Sequence, residues 1–158
     1  MSIELGGGSK LLSLSRDRMS AVNWDQGKIQ RVAVGGAELE CMCFGPPPDE
    51  ATTVVLMHDG LGCVSTWNDF PERIAAITGC GVFAFSRQGY GGSDPAELPR
   101  PVDYLEREAQ TVVKTLLDGI GFRSGILLGH SDGASIAGIY LGTHQDHRVR
   151  GLVLIAPH

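Results

Sequence analysis

From residue 29 to residue 158 the chain alternates short apolar runs with glycine- and proline-marked breaks. Residues 29–34 (IQRVAV) and 37–44 (AELECMCF) are β-rich runs on either side of Gly35-Gly36, which predicts a hairpin. Pro46-Pro47-Pro48 ends it, because proline cannot donate to a ladder. The run TVVLM (53–57) is apolar throughout and suits a strand buried on both faces. Residues 66–78 predict a helix with Trp67, Phe70, Ile74 and Ile77 on one side, provided that Pro71 falls in its first turn. A further strand is read at 81–86 (GVFAFS). The clearest helix is 104–119, where Leu105, Ala109, Val112, Val113, Leu116, Leu117 and Ile120 recur at spacings of three and four. Asp103 with Glu106 resembles a capping box at its start, and Gly119 and Gly121 mark its end. A strand at 125–129 (GILLG), a small-residue helix at 133–143 and a last strand at 150–155 (RGLVLI) complete the pattern.

A hairpin followed by alternating strands and helices calls for an α/β fold, a mostly parallel sheet with helices on both faces. The parallel strands are 53–57, 81–86, 125–129 and 150–155. A length of 158 residues fits one domain, read as 23–158 after a flexible Gly/Ser-rich lead-in over 1–22.

Composition narrows the function. Apolar residues make up 42% and charged residues 20%, as expected of a folded globular chain. The net charge is −5 and no Lys/Arg cluster is present, which disfavours nucleic acid and anionic membrane surfaces as partners. There is no secretory signal and no stretch long enough to span a bilayer, so a cytoplasmic location is expected. Cys41, Cys43, Cys63 and Cys80 match no zinc spacing and read as reduced thiols. No motif supports a metal or an organic cofactor. The glycines near 89–92 lead into Ser-Asp-Pro and not into a helix, which argues against a nucleotide-binding loop.

In parallel sheets of this kind ligands sit at the carboxyl ends of the strands. Gly129-His130-Ser131-Asp132-Gly133 stands there as a G-x-S-x-G nucleophile elbow, with GILL before it and an apolar helix after it. The flanking glycines are needed because strand turns into helix with almost no loop. Ser131 would then lie over a helix N-terminus, which favours developing negative charge. His58-Asp59-Gly60-Leu61-Gly62 follows TVVLM, in the place of an oxyanion loop. Its N–H donor is Gly60 or, as the other choice, Leu61, acting with the backbone N–H of Asp132.

Taken together, VVLMHDGLG, FSRQGYGGSDP (85–95), LLGHSDGASIA (127–137) and VRGLVLIAPH (149–158) resemble the α/β-hydrolase fold over residues 28 to 158. Two departures stand out: Gln88 lies between Arg87 and Gly89, and Asp59 lies between His58 and Gly60, where many members read H-G. The resemblance implies an eight-stranded, mostly parallel sheet, of which this chain supplies strands one to six, truncated after the sixth. Dehalogenases of the fold carry Asp at the elbow tip, so Ser131 speaks for hydrolysis of a small ester-like or carbon–carbon substrate through an acyl-enzyme.

The family order is Ser, then acid, then His; the resemblance implies an acid usually after strand seven, sometimes after strand six, and a His after strand eight, so neither role is filled in its usual place here. Of the five histidines, His130 is expected to point away from the nucleophile, and His144 and His147 to lie on the surface past the last helix. His58 and His158, at carboxyl ends of strands, could approach the pocket as substitute bases. A non-catalytic fragment acting as an interaction module is the alternative reading, and a cofactor-free haloperoxidase-like activity would use the same site. The apolar final strand is expected to expose an edge that invites self-association.

Overall fold

A computed structural model describes residues 22–24 and 26–158; most of the lead-in expected over 1–22 lies outside the described residues. The hairpin forms as read: β1 (Gln30–Val34) pairs antiparallel with β2 (Ala37–Phe44), with Val34 opposite Ala37. Gly35 and Gly36 take φ of 60° and 89°, a turn conformation that costs a side-chain-bearing residue far more than glycine. β3 (Thr53–Met57), β4 (Gly81–Phe85), β5 (Gly125–His130) and β6 (Val149–Ile155) are mutually parallel, and the sheet order is β1-β2-β4-β3-β5-β6.

Alternation along the strands divides the core between the two faces of the sheet. Val55, Met57, Phe83, Phe85 and Leu127 pack with Leu116, Leu117, Ile136 and Tyr140 from the helices on one side. Val54, Leu56, Val82, Ala84 and Leu128 form the other side, against Trp67, Phe70 and Ile74. All five residues of β3 and all five of β4 are buried, as the unbroken apolar runs imply.

Four local expectations are corrected. The helix expected over 66–78 is divided: a 3-10 turn (Val64–Trp67) is followed by α1 (Phe70–Thr78). Asn68 at φ 50° separates them, and Pro71 sits in the first turn of α1, where its missing N–H costs nothing. Ile77 is 77% exposed and does not share the packed face. The helix at 104–119 runs as α2 (Tyr104–Arg107), a π-helical stretch (Glu108–Val113) and α3 (Lys114–Gly119). Its start has no side-chain cap, because the Asp103 carboxylate instead accepts from Arg107 Nε at 2.9 Å.

The segment after β4 is tied to β2. Ser86 and the Gly92 N–H both hydrogen-bond the Glu40 carboxylate, and the Asp94 N–H donates to Glu38 O at 2.9 Å. Gly91, at φ 52°, sits close under that carboxylate: a Cβ there would lie 2.3 Å from Glu40 Oε2 and displace it. β6 forms one edge of the sheet among the described residues, with Val153, Leu154 and Ile155 each 42–44% exposed. No helix among the described residues is long and apolar enough to cross a membrane.

Candidate active site

β5 ends at His130 and α4 (Asp132–His144) begins at Asp132, so Ser131 alone makes the turn. Its φ of 52° and ψ of −118° lie in a region that a residue with a Cβ enters only at a cost of order 1–3 kcal/mol. The conformation is held from both sides. The Ser131 N–H donates to Ile155 O at 2.8 Å, and its carbonyl accepts from Ala134 and Ser135 at 2.9 and 3.1 Å. The flanking glycines are steric necessities. A Cβ on Gly129 would lie 2.3 Å from Gly133 O, and one on Gly133 would lie 2.0 Å from Met57 O. Helix α4 is therefore seated directly on the end of β3, which brings the 58–62 loop beside the elbow.

That loop is closely accounted for. The Leu61 N–H donates to Asp59 Oδ1 at 2.8 Å, and the Gly62 N–H donates to Asp59 O at 3.3 Å. The bond from Leu61 holds the Asp59 carboxyl below its usual range. Among the described residues, the N–H groups of Gly60 and Asp132 meet no protein acceptor. Gly60 packs against the elbow so tightly that a Cβ would approach Asp132 Oδ2 to 3.0 Å. Of the two candidate loop donors, Leu61 has its N–H occupied and its side chain 94% exposed, whereas Gly60 is open.

His58 is placed beneath the loop and is 1% exposed. Its Nε2 accepts from the Arg87 N–H at 2.9 Å, which leaves Nδ1 as the protonated nitrogen, donating to Asp59 O at 2.7 Å. Burial, aided by the neighbouring Arg87 charge, lowers its pKa to about 4. With both nitrogens engaged, His58 has no lone pair to offer Ser131, so the structure gives it a structural place and not that of a substitute base.

His158, three residues beyond β6, lies against Asp132. Its ring is 56% exposed, and Nε2 lies 3.3 Å from Asp132 Oδ1. Its main chain is fixed by Ser135 Oγ, which donates to His158 O at 2.7 Å. His130 faces Asp59, with Nδ1 3.5 Å from Oδ2. His144 closes α4 and does not follow it, and its ring stacks on Tyr140 at 4.6 Å, so it is not a free surface residue.

Two site residues were not singled out in the sequence. Arg87, 1% exposed, donates through Nη1 to His58 O and through Nη2 to Asp59 O at 2.9 Å, and lies 3.6 Å from Asp132 Oδ2. Tyr104 donates its hydroxyl to the same Asp132 oxygen, and burial together with that carboxylate pushes the phenol up to about 12. The signal for Arg87 was its position: a cation two residues past the apolar run of β4, at the carboxyl end where ligands gather. Nothing local to Tyr104 marks it.

The family profile described as alpha/beta hydrolase fold matches residues 52–158. Over 123 residues the chain is 29% identical to epoxide hydrolase B of Mycobacterium tuberculosis, covering 77% of this chain and 33% of that protein. Over 112 residues it is 31% identical to the human (lyso)-N-acylphosphatidylethanolamine lipase, covering 71% of this chain and 32% of that protein. Among solved structures, a bacterial membrane phospholipase A superposes with a TM-score of 0.72 at 23% identity, over 84% of this chain and 40% of that one. The chain spans about a third of the length of the curated relatives it matches. The profile match covers more than half of the chain and contains both the elbow and the loop beside it, and on that ground the chain belongs to the α/β-hydrolase fold family.

Proposed function

We propose that this protein is a serine hydrolase in which Ser131 attacks a small ester-like or carbon–carbon substrate and passes through an acyl-enzyme. One observation carries the reading: Ser131 is held at φ 52° between β5 and α4 by glycines that no larger residue can replace. A merely structural serine in a strand–helix junction has no need of that strain. Ser131 Oγ bonds to the carbonyl carbon, its proton passes to a base, and the carbonyl oxygen gains the charge. The Asp132 N–H at the start of α4 and the Gly60 N–H are the donors for that oxygen. Collapse of the tetrahedral species expels the leaving group, which takes up the proton, and water then releases the acyl group by the same steps in reverse order.

Within these 158 residues we propose His158 as the base; the support is its exposed ring, 3.3 Å from the carboxylate of Asp132, the residue next to Ser131. A base contributed from outside this sequence is the other source. The substrate class agrees with one relative, whose name is that of a lipase. The test is a burst assay with p-nitrophenyl acetate on the product of the reading frame that carries this sequence. An acetyl group trapped on Ser131 at low pH and found by peptide mass supports the reading. Turnover that survives Ser131→Ala, or a folded protein that never acylates, refutes it; the second outcome favours the non-catalytic alternative.

A further inference from the structure

The loop at 58–62 spends its hydrogen-bonding groups unevenly. Asp59 O accepts from three donors: Arg87 Nη2 at 2.9 Å, His58 Nδ1 at 2.7 Å and the Gly62 N–H at 3.3 Å. Arg87 also donates from Nη1 to His58 O, and from its main-chain N–H to His58 Nε2 at 2.9 Å. Arg87 and His58 are each 1% exposed, so the bonds form away from water and are little screened. The Tyr90 ring closes the group, 5.0 Å from the Arg87 guanidinium and edge-on to His58 at 5.1 Å.

The consequence lies in the geometry of one amide. The carbonyl of Asp59 and the N–H of Gly60 belong to the same peptide unit, which is planar and trans. In such a unit the C=O and N–H point in opposite directions. Fixing the carbonyl toward the buried Arg87 therefore fixes the N–H away from it. The next two N–H groups along the loop are consumed by Asp59 itself. A glycine peptide left alone could flip; this one is pinned by its partner atom.

We propose that Arg87 and His58 are positioning residues for the oxyanion donor: by clamping Asp59 O they aim the Gly60 N–H at the oxygen of the tetrahedral intermediate. This rests on the serine-hydrolase reading, which it deepens. Neither residue touches substrate. The neutral Nδ1–H form of His58 is part of the clamp, because the protonated ring could not accept from the Arg87 N–H. Lysine cannot replace Arg87, since a point charge cannot bridge the carbonyls of two successive residues as a planar fork does.

The experiment compares wild type with Arg87→Lys by 15N relaxation at the Gly60 amide, and by the rate of fluorophosphonate labelling at Ser131. In wild type the Gly60 order parameter is expected near the rigid value of about 0.85, and in Arg87→Lys below about 0.6, with the amides of Val55 and Leu127 unchanged. The labelling rate is expected to fall by about 10- to 100-fold, below the full loss of a donor, which is about 100- to 1,000-fold. A folded Arg87→Lys with Gly60 as rigid as Leu127 and an unchanged labelling rate overturns the positioning role and leaves the serine reading intact. Absence of any Ser131 adduct in wild type refutes the serine reading instead. If Arg87→Lys does not fold, the wild-type protein still decides. A hydrogen-bond coupling between His58 Nδ1–H and the Asp59 carbonyl carbon supports the clamp, and a His58 ring that titrates as a free imidazole overturns it.

Discussion

Two glycine-to-alanine substitutions in one helix should move stability in opposite directions. Gly133 and Gly142 both lie in α4, and on helix propensity alone alanine would improve either by about 1 kcal/mol. At Gly142 nothing lies within 4 Å of an added Cβ, so that gain should be realised. At Gly133 the Cβ would lie 2.0 Å from Met57 O and 2.7 Å from His58 O. Both atoms are backbone, in a buried strand and the loop after it, so no side-chain rotation relieves the contact. The end of β3 or the start of α4 must move by more than an ångström. Overpacking of this kind costs at the upper end of the usual range, about 3 kcal/mol, leaving a net loss of about 2 kcal/mol after the propensity gain. For a chain of this size that is a fall in Tm of about 4–8 °C, against a rise of about 2–4 °C for Gly142→Ala. Urea and thermal unfolding followed by circular dichroism and tryptophan fluorescence read both. Gly133→Ala as stable as wild type would refute the packing of α4 onto β3 on which the site depends.

Three further outcomes are expected. Ser131→Gly removes the strain at φ 52° and should raise unfolding stability by roughly 1 kcal/mol while abolishing acylation; a destabilised variant would show that the turn is not strained. The pKa of His58 is lowered from 6.5 to about 4 in the folded chain, so the unfolded chain binds the proton first as pH falls. Its contribution is fully present above pH 6.5 and is lost between 6.5 and about 4, an effect on the order of 3 kcal/mol. Urea midpoints at pH 7 and pH 4.5 should therefore diverge more for wild type than for His58→Asn, and equal midpoint shifts would contradict this. Burial pushes the Cys41 thiol up to about 12 and raises Cys43 as well, whereas Cys63 and Cys80 are partly exposed. Ellman's reagent should modify Cys63 and Cys80 in the native protein and the other two only on unfolding; four thiols reacting together would contradict the buried placement of β2.

The strands and the elbow were legible because each is a local rule. Gly35-Gly36 between β-rich runs can hardly be anything but a hairpin, and continuous apolar runs mark strands covered on both faces. Gly129 and Gly133 announce the elbow because a turn that tight excludes a Cβ. What escaped was set by partners distant in sequence. Asp103 abandons its cap for Arg107, and Asn68 breaks a helix whose periodicity appeared continuous. The π-helical stretch at Glu108–Val113 has no signature in a pattern of apolar spacings. At the site, the tight junction at Ser131 and the loop beside it were readable, but the state of the loop was not. An Asp followed two residues later by a free N–H is a known local turn, and on that ground the loss of Leu61 as a donor was within reach. The burial of Arg87 against the carbonyls of His58 and Asp59 was not, because it joins residues 28 and 29 positions apart.

The central claim, that Ser131 is a nucleophile primed by the elbow, is tested most directly by exposing the intact product of the reading frame to a fluorophosphonate and mapping the adduct by mass spectrometry. The account predicts one adduct per chain, on Ser131, absent from Ser131→Ala and prevented by prior unfolding. An adduct that persists in Ser131→Ala, or none on a folded protein, would contradict it.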